Sequence, residues 1–136
     1  MQAPRRPAAY PEVMTTHAPV SLVLASSLGS SSIDLSSADY AFVGENATDQ
    51  AGYSIASAGD VDGDGLGDIV VGGHRHDPLG KIDAGMVRVY SGGTGQVLYH
   101  YDGEFSNDGF GQAVNGAGDV NGDGHADFLV GAPGAD

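Results

Sequence analysis

The sequence predicts an all-β protein made of short strands repeated at a fixed period. Three observations lead there. An ungapped internal repeat runs at an offset of about 59 residues. Glycine supplies 23 of the 136 residues, which favours many turns over long helices. Apolar residues fall in short alternating or continuous runs bounded by Gly, Asp and Ser, not at helical spacing.

The repeat carries most of the argument. Residues 51–72 align with residues 110–131, and the register extends outward: Gly44-Glu45 falls on Gly103-Glu104, Asp49 on Asp108, and Asp77 on Asp136. Fixed self-similarity of this kind marks stacked or radial units. Within one period, Ser54-Ile55-Ala56-Ser57-Ala58 alternates as a strand, and Ile69-Val70-Val71 reads as a strand buried on both faces. Met86-Val87-Arg88-Val89-Tyr90 and Val97-Leu98-Tyr99-His100-Tyr101 form a hairpin across the turn Ser91-Gly92-Gly93-Thr94-Gly95. About four strands per period is the content of a β-propeller blade.

Composition excludes several classes. Five Lys and Arg against a net charge of −13 leave too little positive charge for nucleic acid. No apolar run is long enough to span a bilayer as a helix. Without cysteine there is no disulfide framework. Residues 1–19, Pro-rich with Arg5-Arg6, read as disordered. Val20 to Leu28 makes an unconvincing signal peptide, being short, interrupted by Ser and preceded by a long leader.

Most of the acids are grouped in short clusters, and each period carries one acidic glycine-rich loop. Asp60, Asp62, Asp64 and Asp68 occupy positions 1, 3, 5 and 9 of a glycine-rich turn; Asp119, Asn121, Asp123 and Asp127 repeat it. Calcium takes roughly six to eight oxygens at ~2.3–2.6 Å. Positions 1, 3 and 5 wrap around one point, position 7 offers a backbone carbonyl from Leu66 or His125, and the position-9 carboxylate closes the far side. Solvated Asp-Gly turns are the plain alternative, but four acids within nine residues repel one another without a counterion. Two calcium sites are therefore expected, and magnesium suits such an all-protein cage less well. An EF-hand would need an acid at position 12, where Val71 and Val130 stand, and a following helix, where glycine and proline follow.

These residues resemble the FG-GAP repeats of integrin α-subunit propellers. Phe110-Gly111 supplies the first half of that signature and Gly131-Ala132-Pro133 the second, with the acidic loop between them. The first copy departs from the pattern, with Ala51-Gly52 and Val71-Gly72-Gly73 at those places. The resemblance covers residues 39–136 and implies calcium-stiffened, non-catalytic propeller blades used outside the cytosol for adhesion or recognition of a protein or glycan. It divides the chain into a disordered start (1–19), the tail of a preceding blade (20–38), a first repeat (39–97) and a truncated second repeat (98–136). The alternatives are a non-catalytic propeller region of a larger secreted hydrolase, or a truncated product without independent function.

Other motifs receive plainer readings. His74-Arg75-His76-Asp77 reads as an exposed loop, and Asn46-Ala47-Thr48 is a weak glycosylation pattern. No nucleophile with a supporting His and acid stands out. Two repeats do not close a ring, since propellers use ~4–8 blades. Half-covered apolar faces at Val87, Val89 and Phe128 are therefore expected to call for further blades or self-association.

Overall fold

The computed structural model describes residues 21–24, 40–46 and 48–136. Among these residues it is all-β, with eight strands and a 3-10 turn at Pro78–Gly80. The predicted strands between 54 and 101 appear at the expected places. They are β3 (Ser54–Gly59), β4 (Asp68–Gly73), β5 (Met86–Tyr90) and β6 (Val97–Asp102), all antiparallel and in the order β3-β4-β5-β6. This is one four-stranded propeller blade. Strands β7 (Ala113–Gly118) and β8 (Asp127–Gly131) form the inner hairpin of the next blade.

Near the start, β1 (Ser21–Leu24) pairs antiparallel with β2 (Tyr40–Val43) as a separate two-stranded sheet. Most of residues 20–38, read as the tail of a preceding blade, lies outside the described residues, as does the Pro-rich start. The blade itself runs from Ser54 to Asp102, so it crosses the repeat boundary drawn after residue 97.

The 59-residue period is reproduced bond by bond. Gly52 N–H donates to the Gly72 carbonyl and Gly111 N–H to that of Gly131, each at 3.1 Å. Both inner hairpins slip register just before the acidic loop, at Ser57/Gly59 and at Gly116/Gly118. Gly59 and Gly118 sit there at φ 75° and 71°, the left-handed backbone that lets an extra residue bulge out.

The two blades pack face to face. Ala58, Val61, Val70, Val87 and Val89 form a buried cluster, and Phe110, Val114, Phe128 and Val130 of the second blade close on it. Val87 and Val89 are therefore fully buried, contrary to the expectation that they form a half-covered face. Ala58, Val61, Val70 and Leu98 of their own blade cover them together with the second hairpin. Phe128 remains partly buried. Inner strands β3 and β7 lie side by side, and Ser54 Oγ donates to the Gly111 carbonyl at 2.7 Å.

Gly111 shows why the FG position takes glycine. Its φ is 85°, and a Cβ there would run into the Met86 carbonyl oxygen and the Val87 side chain. The parallel bridge between Gly85 and Phe110 stitches the blades at the same point.

Candidate functional site

The β3–β4 hairpin places the first acidic loop at one end of the blade. Its backbone is wound around its own carboxylates. Asp60 accepts the N–H groups of Gly63 at 2.7 Å and Gly65 at 2.9 Å. Gly63 and Gly65 reach this geometry at φ 80° and 86°. Asp68, at the start of β4, is 1% exposed and bridges two elements. Its Oδ2 accepts Val61 N–H at 2.8 Å, and its Oδ1 accepts Gly92 N–H from the β5–β6 turn at 3.0 Å. An unpaired buried carboxylate costs several kcal/mol, and these amides offset that cost.

Asp60, Asp62 and Asp68 bring carboxylate oxygens within 4.8 Å of one another. Oxygens around one calcium at ~2.3–2.6 Å can lie at most about twice that distance apart, so these three fit a shared coordination shell. Asp64 is not among the three, and its Oδ1 accepts Leu66 N–H at 2.8 Å. The Leu66 residue is exposed.

The second loop repeats the winding. Asp119 accepts N–H groups from Gly122, Asp123 and Gly124 at 2.7, 3.1 and 2.9 Å. Asp127 Oδ2 accepts Val120 N–H at 2.9 Å, as Asp68 does for Val61. Asn121 Oδ1 accepts Asp123 N–H at 2.9 Å, and its amide donates to Asp123 Oδ2 at 3.1 Å. The N–H of His125, helped by that amide, holds the Asp123 carboxyl below its ordinary range. Among the described residues no three carboxylates converge here as they do in the first loop. Among the described residues no turn packs over Asp127 as the Gly92 turn does over Asp68.

The loops touch. Ala126 N–H donates to the Asp60 carbonyl at 2.8 Å, and His125 Nδ1 lies 3.1 Å from the Val61 carbonyl. Beside them a groove between the blades is lined by Val61, Tyr99, Tyr101, His125 and Phe128, with Asp62, Asp123 and Asp127 at its polar side.

The segment read as an exposed loop, His74 to Asp77, is only partly so. His76 is 5% exposed, and its Nδ1 sits 3.0 Å from Asp49 Oδ2. His74 is half-buried, with its ring centroid 4.3 Å from that of Tyr53. The buried Asp49 carboxylate draws His76 inward, while Gly85 N–H donates to the His76 carbonyl at 2.9 Å and folds the loop back. The match of Asp49 with Asp108 was the one signal in the sequence that something in this region needed an acid.

Fold and loop together define a propeller repeat that carries an acidic glycine turn in the first hairpin of each blade. The FG-GAP repeat family matches residues 106–136. Over 92 residues the chain is 45% identical to integrin alpha-PS2 of Drosophila melanogaster, covering 60% of this chain and 6% of that protein. It is 39% identical over 82 residues to integrin alpha-V of Gallus gallus, 60% of this chain and 7% of that one. Integrin alpha-2 of Bos taurus is 36% identical over 90 residues, again 60% and 7%. The chain thus spans less than a tenth of the length of these relatives. It carries FG-GAP repeats of the integrin α type. No helix among the described residues is long and apolar enough to cross a membrane.

Proposed function

We propose that this chain is a non-catalytic FG-GAP propeller module that binds calcium at two loops and presents its blades to a protein or glycan partner outside the cell. The observation that carries the reading is the convergence of Asp60, Asp62 and Asp68 in a turn whose amides already hold the carboxylates in place. Calcium would add charge neutralisation and stiffness to the blade edge, with Asp64, the Leu66 carbonyl and water completing the shell. The second loop would take its ion through Asp119, Asn121, Asp123, the His125 carbonyl and Asp127. Its exposure favours the weaker affinity of the two. Likeness to integrin α chains supports an adhesive role at the cell surface.

Calorimetric titration of calcium into chelator-stripped protein tests this, with dissociation constants expected at ~0.1–1 mM, as in extracellular modules. At free calcium ten times that constant, linkage adds about 1.4 kcal/mol per site. Asp62→Ala is the cleaner variant, because Asp62 is exposed and accepts only the Asp64 N–H. It should weaken the first site at least tenfold. Asp68→Ala would also strip partners from two backbone amides. Val71→Ala, in the core at position 12, should lower the melting temperature and leave affinity unchanged. Absence of both heat and a thermal shift would refute the calcium reading.

A further inference from the structure

We propose that His125, a residue of the second acidic loop, positions the first, so that the site at Asp60, Asp62 and Asp68 is built by two blades. This rests on the calcium reading of that first loop. All three converging carboxylates are tied to one residue, Val61. Asp60 and Asp62 flank it in the chain, and its N–H donates to Asp68 Oδ2 at 2.8 Å. Its side chain is buried in the cluster between the blades. Holding the two peptide units around Val61 therefore holds the three carboxylates.

The second blade grips both units. The peptide between Asp60 and Val61 offers its carbonyl to Ala126 N–H at 2.8 Å, while its own N–H points to Asp68. The peptide between Val61 and Asp62 offers its carbonyl to His125 Nδ1 at 3.1 Å. A carbonyl only accepts, so this contact puts the imidazole proton on Nδ1. Accepting a hydrogen bond at its carbonyl polarises a peptide and strengthens the bond that its N–H donates. The Ala126 contact thus reinforces the hold of Val61 on Asp68. The imidazole also lies against Gly63, where a Cβ would stand 2.9 Å from His125 Cε1. Gly63 N–H in turn helps to fix Asp60.

The repeat separates this role from what His125 does in its own loop. Its N–H donates to Asp123 Oδ1 at 2.9 Å, and one period earlier Leu66 N–H donates to Asp64 Oδ1 at 2.8 Å. Any residue but proline supplies that amide. Leu66 is exposed and has no side-chain donor, yet its loop is wound in the same way. The winding of the second loop does not need the imidazole, whose donor goes to the neighbouring loop instead.

Like charges in the first loop repel one another and favour wider arrangements until an ion arrives. The two contacts from the second blade narrow that range beforehand and so lower the ordering cost of binding. By linkage, calcium in the first loop tightens the junction between the blades in return.

The test is calcium titration of the whole chain, followed through the Gly63 and Gly65 amide resonances of the first loop. His125→Leu installs the residue that the first loop carries at this place. It should weaken calcium at the first loop about two- to tenfold, the scale of one neutral hydrogen bond. His125→Asn keeps a nitrogen donor on Cγ, where Nδ1 stands, and should restore most of that affinity. Ala126 N–H should exchange with solvent more slowly in calcium than in chelator, and His125→Leu should shrink the difference. His125 is exposed, so neither variant opens a cavity, and the spread of the β3–β6 amide resonances checks folding. Unchanged first-loop affinity in His125→Leu would overturn the proposal. Equal losses in His125→Leu and His125→Asn would also overturn it, by assigning the effect to ring packing. Gly63 and Gly65 resonances that calcium never moves in the wild type would refute the calcium reading itself, and the proposal with it.

Discussion

Asp68 and Asp127 occupy the same place in the period and accept the same amide, yet only Asp68 is sealed from water. The difference is Gly92, whose N–H closes over Asp68 from the β5–β6 turn. Carboxylate spacing was legible in the sequence because positions 1, 3, 5 and 9 are local. The splitting of roles was not. Asp64 turns to the Leu66 amide while Asp62 joins Asp60 and Asp68. Nor did His76 show itself, since its burial comes from Asp49, 27 residues away. At this scale the pH dependence can also be assigned. The Asp123 carboxyl is held below its ordinary range, first by His125 N–H and then by the Asn121 amide. A depressed folded-state value contributes stability above the unfolded pKa, and that contribution is lost as pH falls through the folded one. Asn121→Ala should therefore raise the Asp123 value toward the ordinary range. Carboxyl NMR titration in chelator checks this, and an unmoved value would show that the amide plays no part.

At the scale of elements, strand type and order were readable because each hairpin is local in sequence. Met86–Tyr90 and Val97–Asp102 pair across their glycine turn as the alternation implied. What could not be read was which faces the second blade covers. Val87 and Val89 look half-exposed from their own hairpin, and Phe110, Val114 and Phe128 of the second blade complete a cluster begun by Ala58, Val61 and Val70. The glycines at the blade junction follow from that packing and separate two kinds of backbone demand. Gly65 and Gly111 have nearly the same φ, 86° and 85°, but a Cβ at Gly65 meets nothing within 4 Å. Gly65→Ala should thus cost only the left-handed strain, about 1–2 kcal/mol. Gly111→Ala adds a clash with the Met86 carbonyl and should cost a further ~1–3 kcal/mol, as overpacking does. Thermal melts of the two variants decide. Equal losses would mean that the junction yields to the extra carbon.

For the whole molecule, the blade-to-blade cluster binds the first blade to the β7–β8 hairpin, and exposed strand edges remain on either side of it. β6 is the outermost strand of its sheet, with Val97, Tyr99 and Tyr101 at 49%, 41% and 46% exposed. β8 pairs with β7 on one edge and with no other strand among the described residues, and its Leu129 is 63% exposed. Proteins that keep such edges solitary protect them with lysine, proline or a bulge. Neither strand contains lysine or proline. The bulges lie elsewhere for β8, at the inner hairpin's loop end, and at only one end of β6. Net charge works the other way, since −13 on 136 residues resists association at low ionic strength. Salt near ~0.15 M shortens that repulsion to about 8 Å, which leaves the apolar edges in control at contact. The chain should therefore self-associate in a concentration-dependent way at physiological salt, more strongly with calcium neutralising the acidic loops. Sedimentation across a concentration series, with calcium and with chelator, measures this. A compact monomer that melts cooperatively at every concentration would show that the edges of β6 and β8 are adequately guarded by charge alone.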